Sequence, residues 1–246
     1  MRRTNKNVLS APATLDGMSD VPVVMVHGWG GSFRETWQEP GWEALLSDVG
    51  RTVVGVDLLG HGTAPKPHDP AAYSDLSGRI REAMPTGQVD AVGFSLGAIT
   101  LLKMAAAEPS RFRRLVLMGV GENIFRSDKD GTTRIVAAIE GTGPTDDVHG
   151  QVFAHYAHRA GNDPVALAAL LKRPQPAPLL AGVFSVVTCP VLLILGDNDF
   201  AGPAAPLVDA LPNCQLVTLR NTDHFATTEN FNAIDAVLGF LTEHDA

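Results

Sequence analysis

Val89-Asp90-Ala91-Val92-Gly93-Phe94-Ser95-Leu96-Gly97 decides how this chain is read. Val89 to Val92 is a mostly apolar run of strand length, and Ala98 to Ala107 carries a helical pattern that must stop before Pro109. Between them stands Gly-x-Ser-x-Gly. A strand that turns straight into a helix at a serine needs small residues two positions before and two after it, and the turn lifts the hydroxyl clear of the sheet. The bland reading is a tight turn that happens to contain serine. The flanking strand and helix are the context that a nucleophile requires.

Working outward, the apolar runs at 23–26, 52–56, 115–118, 191–195 and 215–219 read as further strands. Helical patterns at 37–49, 73–84, 203–211 and 231–241 alternate with them, the first interrupted by Pro40-Gly41. That alternation predicts an α/β fold with a mostly parallel, doubly wound sheet and right-handed crossovers. Val8 and Leu9 hint at an edge strand before the first strong one. From Glu122 to Ser185 the rhythm breaks. Helical patterns at 133–139, 148–159 and 165–171 and the prolines 174, 176 and 178 follow one another without a convincing strand. Sixty residues are too many for a plain connection, so this stretch is expected to be a helical lid over the carboxyl edge of the sheet, where ligands of open α/β sheets bind. The expected division is 1–121 and 186–246 as core and 122–185 as lid.

The 246 residues, 45% of them hydrophobic, suffice for one large domain. A formal net charge of -8 and the lack of any run of Lys or Arg give nucleic acid no electrostatic reason to bind. Cys189 and Cys214 are too few for a disulfide scaffold and are expected to be reduced. Polar residues follow Arg2 and Arg3 where a signal peptide would place its apolar stretch, and no eighteen consecutive residues are apolar. A cytoplasmic protein without a membrane span is the expectation.

A serine hydroxyl needs a general base, and that base needs an acid to fix its tautomer. Of eight histidines, only His224 lies in a loop immediately after the last strand. The acid should come between Ser95 and His224 at a strand end. Gly196-Asp197-Asn198-Asp199 offers two, with Asp199 preferred and Asp197 expected to cap its own turn; Glu122 is a distant third and Asp57, too early in the chain, braces its loop. Attack on an ester or amide creates an oxyanion, whose donors should be the N–H groups of Leu96 and of Trp29 in the loop His27-Gly28-Trp29-Gly30-Gly31. Gly28, Phe94, Phe125 and Phe153, with Trp29, Leu170 and Phe184, are candidate walls of a largely apolar pocket. No His/Cys cluster has ligand spacing and no glycine loop has a phosphate-binding pattern, so neither metal nor organic cofactor is implied.

His27-Gly28-Trp29-Gly30, Asp57-Leu58-Leu59-Gly60-His61-Gly62, Gly93-Phe94-Ser95-Leu96-Gly97, Gly196-Asp197-Asn198-Asp199 and Asp223-His224-Phe225 together resemble the α/β-hydrolase superfamily, in its small lidded esterase, haloperoxidase and C–C hydrolase branch. The resemblance runs from residue 21 to 241 and implies Ser95, Asp199 and His224 as nucleophile, acid and base, with Trp29 and Leu96 at the oxyanion. It departs at the N-terminus, where only about twenty residues precede the first strong strand. It implies a serine hydrolase of small acyl compounds, a carboxylesterase first. A C–C hydrolase of diketo acids is the alternative and would hold a substrate carboxylate with Arg126, Arg134, Arg159 or Arg173. A ligand receptor on a hydrolase scaffold is a third reading. Epoxide hydrolases and haloalkane dehalogenases are disfavoured, because both need a carboxylate where Ser95 stands. The expected partner is a small acyl substrate; the oligomeric state is left open.

Overall fold

The computed structural model describes residues 21–174 and 179–243. The hinted strand at Val8-Leu9, Pro176, Pro178 and His244 lie outside the described residues. Six strands form one sheet: β1 (Val23–Val26), β2 (Val53–Val56), β3 (Val89–Phe94), β4 (Phe112–Met118), β5 (Val191–Gly196) and β6 (Cys214–Leu219). Their order is β2-β1-β3-β4-β5-β6 and every pairing is parallel. From β1 the chain crosses to one side for β2 and then to the other for β3. The β1/β3 boundary is therefore the switch point, outside whose carboxyl ends such sheets bind ligands.

Strand side chains alternate between two cores, as a sheet covered on both faces requires. Val24 and Val26 of β1 point into one, with Leu101 and Leu102 of α3 (Leu96–Ala107), Ile80 of α2 (Gly78–Ala83) and Leu207 of α7 (Ala205–Ala210). Val23 and Met25 point into the other, with Trp42 and Leu46 of α1 (Trp42–Asp48) and Ile234, Val237 and Phe240 of α8 (Phe231–Thr242). Burying each such side chain contributes roughly 1.5–3 kcal/mol, so these faces hold the layers together.

Two helices differ from expectation. The pattern at 37–49 divides into a wide turn, Arg34–Gln38, and α1, because Gly41 between them takes a left-handed φ of 92°. The pattern at 73–84 yields helix only from Gly78. Upstream, the Tyr73 hydroxyl donates to Pro67 O at 2.6 Å and the Asp75 carboxylate accepts from Ser77 N at 2.8 Å, an Asx turn that holds the backbone out of the helix. Between β4 and β5 the described residues contain no strand; α4 (Lys129–Ile139), α5 (Val148–Ala157) and α6 (Pro164–Lys172) share a small core of their own built on Ile139, Ala154, Ala157 and Leu167. Asp128, Asp147 and Asp163 cap the three helices with their side chains. Cys189 and Cys214 are free. No helix among the described residues is long and apolar enough to cross a membrane.

At the opposite end of β3 from Ser95, the fully buried Asp90 pairs with buried Arg51 and accepts from Arg113 Nε at 2.9 Å. Asp90→Ala leaves buried guanidinium charge uncompensated and is expected to cost about 3–5 kcal/mol, read as a shift of the urea midpoint. A loss below about 1 kcal/mol would show that the charges find water instead.

Candidate active site

Ser95 sits between β3 and α3 with φ 50° and ψ -113°, a backbone that non-glycine residues rarely adopt and that surrounding structure must enforce. Ser95 N donates to Met118 O at 2.8 Å and Ile99 N to Ser95 O at 2.9 Å, fastening the turn to β4 and to the helix. The flanking glycines are required by contact. A Cβ on Gly93 would lie 2.7 Å from Ala98 Cα, and one on Gly97 would lie 2.4 Å from Val26 O. α3 thus packs directly onto the end of β1.

Asp199 and His224 arrive from the last two strand ends. Ser95 Oγ donates to His224 Nε2 at 3.0 Å, and His224 Nδ1 donates to Asp199 Oδ1 at 2.9 Å and Oδ2 at 3.0 Å. The carboxylate places the proton on Nδ1, so Nε2 presents its lone pair to the serine. Both partners are buried. Gly119, φ +66° at the end of β4, leaves room for this arrangement: a Cβ there would come within 3.1 Å of His224 Cε1 and 2.6 Å of Phe94 Cε2. Asp197 has a different place from the one expected. It braces the base loop, accepting from Thr222 N at 3.2 Å, while Asn198 N donates to Thr222 O at 3.1 Å. The two loops interlock because Gly196 has no Cβ; one there would stand 2.0 Å from Thr222 O. Asp57 braces its own region, accepting from Phe33 N at 2.8 Å and Thr63 N at 2.7 Å.

In the glycine loop, His27 Nδ1 donates to Gly28 O at 2.7 Å while its Nε2 accepts from Leu58 N at 3.1 Å. A trans peptide carries its N–H opposite its C=O, so turning the Gly28 carbonyl towards His27 turns the Trp29 N–H away from it. Leu96 is the first residue of α3, and its N–H precedes the helical ladder. The Trp29 indole donates to Leu167 O at 3.3 Å, and Asn162 Nδ2 donates to Gly30 O at 2.8 Å, so the loop is hydrogen-bonded to the helical segment above it.

A cavity opens over Ser95. Trp29, Phe94, Phe153 and Phe225 line it with aromatic rings, and Glu35, Thr36, Arg159 and Glu229 with charged or polar groups. Gly28 lines it as expected; a Cβ there would come 2.8 Å from the Phe94 ring. Phe125, Leu170 and Phe184 do not line it. Phe125 packs on Phe184, ring centroids 6.1 Å apart, and Phe184 and Leu170 are fully buried in core clusters. The pocket is accordingly more polar than its expected walls implied. Among the four arginines considered, only Arg159 reaches the cavity, lying 4.8 Å over the Tyr156 ring; Arg126 pairs with Glu122, Arg134 lies 3.7 Å from Asp147, and Arg173 donates to Leu170 O. Sequence reasoning missed Phe200, whose ring lies 4.3 Å from the His224 imidazole, with Phe94 at 4.9 Å. Its place directly after Asp199 was the available signal. Among the described residues no group of three or more His, Cys, Asp or Glu could hold a metal ion.

The family described as the α/β hydrolase fold matches residues 21–135, a stretch that includes the glycine loop and the serine turn. An enol-lactonase from Burkholderia xenovorans LB400 superposes with a TM-score of 0.71 at 23% identity, over 93% of this chain and 95% of that one. The chain has the α/β-hydrolase fold. It is 28% identical over 209 residues to the pimeloyl-[acyl-carrier protein] methyl ester esterase of Neisseria meningitidis serogroup B, covering 74% of this chain and 76% of that protein. It is 33% identical over 111 residues to the 2-hydroxymuconate semialdehyde hydrolase of Pseudomonas sp. (strain CF600), a match over 42% of this chain and only 38% of that protein's length.

Below the glycine loop, buried His27 and His61 stand 4.9 Å apart. Burial, then the neighbouring His27, pushes the His61 pKa down to about 3 from 6.5, and burial lowers that of His27 as well. The unfolded chain binds protons that the fold refuses, so this contribution to stability is complete above pH 6.5 and is lost as pH falls towards about 3. The melting temperature of the wild type should decline across that window, and His61→Asn should flatten the decline. Parallel slopes in the two proteins would refute the assignment to His61.

Proposed function

We propose that the protein is a serine hydrolase that cleaves small carboxylic esters through an acyl-enzyme on Ser95. The observation that carries this reading is the continuous line from Ser95 Oγ to His224 Nε2 and from Nδ1 to Asp199. In it, Ser95 Oγ attacks the ester carbonyl as its proton passes to His224. The carbonyl oxygen gains the negative charge and is received by the N–H groups of Trp29 and Leu96. The imidazolium is held by Asp199 and lies within cation–π range of the rings of Phe94 and Phe200. His224 then protonates the departing alcohol, the carbonyl re-forms, and water repeats the cycle to release the acid and free serine. Residues 122–185 act as the lid over this site, with Phe153, Tyr156 and Arg159 as its contribution to the pocket wall. No metal or cofactor enters these steps.

Relatives named as esterases support ester cleavage, and the relative named 2-hydroxymuconate semialdehyde hydrolase keeps C–C cleavage as the second reading. Arg159 at the cavity favours that second reading, since its guanidinium could hold a substrate carboxylate. Glu35 and Glu229 line the same cavity and disfavour an anionic substrate.

Rapid mixing with p-nitrophenyl esters tests the proposal. The wild type should release a burst of p-nitrophenolate stoichiometric with enzyme; Ser95→Ala should abolish it and lower kcat by about 10^4-fold or more. Asp199→Asn should lower kcat by about 10^4-fold through loss of the correct imidazole tautomer. A folded wild type that turns over diketo acids but no ester would sink the esterase reading.

A further inference from the structure

We propose that the cavity over Ser95 takes short acyl groups, acetyl to butyryl, and that Phe153 is the residue that sets this limit. The proposal deepens the serine-hydrolase reading and rests on it. The cavity measures about 80 Å³, whereas pockets for drug-sized ligands run to roughly 300–1,000 Å³. The carbonyl and the ester oxygen occupy part of that space, leaving only a few carbons of chain.

Phe153 stands in the aromatic part of the lining. Its ring is met by Trp29 at 5.2 Å from the loop after β1, by Phe200 at 6.3 Å from the loop after β5 and by Phe225 at 5.9 Å from the loop after β6, while His149 of its own helix backs it at 5.0 Å. A longer chain that passes Glu35, Arg159 and Glu229, which line the same cavity, strips water from their charges. Nor does the helical segment stand free of the loop below it. Asn162 Nδ2 donates to Gly30 O at 2.8 Å and to Tyr156 O at 2.9 Å, and the Trp29 indole donates to Leu167 O at 3.3 Å. The helix that carries Phe153 is thereby tied to the loop after β1, and the side chain at 153 determines the length that fits.

The test measures kcat/KM for p-nitrophenyl acetate, butyrate, hexanoate and octanoate on the wild type, Phe153→Ala and Phe153→Leu, with Val148→Ala as a control on the same helix at a side chain 76% exposed. The wild type and Val148→Ala should lose about tenfold or more between butyrate and octanoate, the scale of a methylene or two that a pocket refuses. Phe153→Ala should remove or reverse that loss, with Phe153→Leu in between; if the alanine variant fails to melt cooperatively, the leucine variant decides by the same criterion. A wild type as fast on octanoate as on butyrate, or variants whose profiles run parallel to it, would overturn the proposal. Titration with diethyl p-nitrophenyl phosphate separates the two failures. Stoichiometric p-nitrophenolate release from the wild type with a contrary chain-length profile refutes only the acyl-size limit. No release from folded protein refutes the serine-hydrolase reading and this inference with it.

Discussion

The approach of α3 to the end of β1 is the constraint on which the site depends. At Gly97 the helix comes so close to the Val26 and His27 carbonyls that a Cβ would lie 2.4 Å and 2.5 Å from them. That contact fixes the distance between the serine turn and the glycine loop, and with it where Leu96 N–H and Trp29 N–H stand relative to Ser95 Oγ. The left-handed backbone of Ser95 follows from the same packing, since no other turn passes from β3 into a helix seated so deep. Strain of this kind costs on the order of 1–3 kcal/mol, and the apolar faces on both sides of the sheet offset it.

The other half of the site is assembled by loops that fix one another. Gly196 lets the acid loop press against Thr222, and Asp197 and Asn198 each bond to that residue, so Asp199 and His224 arrive as a unit. Gly119 then clears the space into which that unit fits. Each of these glycines does a different steric task, Gly119 and Gly196 at strand ends and Gly97 in the first turn of α3. A parallel sheet whose carboxyl ends converge at one switch point brings together groups over a hundred residues apart in the chain.

Much of this was legible in the sequence because it is encoded locally. β-branched runs mark strands, and Gly-x-Ser-x-Gly marks a turn whether or not its surroundings are known. A place just after the last strand singled out His224, and a place three residues after Gly196 preferred Asp199 over a turn-capping Asp197, although the work Asp197 does across to Thr222 was invisible, being a contact between loops 25 residues apart. The pocket was least legible. Phe125, Leu170 and Phe184 have the composition of pocket walls yet face the core, while Phe200 and Tyr156 face the site. Which side of a short helix points at the serine depends on how α4, α5 and α6 dock, and that docking rests on single hydrogen bonds such as Asn162 to Gly30 that leave no periodic trace. The start of the helix at 73–84 was misplaced for a similar reason, a side-chain turn at Asp75 overriding helical composition.

The most direct measurement is peptide mass spectrometry on enzyme quenched in acid during turnover of an ester. If the hydrogen-bonded line through His224 makes Ser95 the nucleophile, the acyl mass will be found on the peptide that carries Ser95, at an occupancy that rises and then holds as turnover reaches steady state. Turnover with no acylated peptide, or an acyl group on another residue, would contradict it.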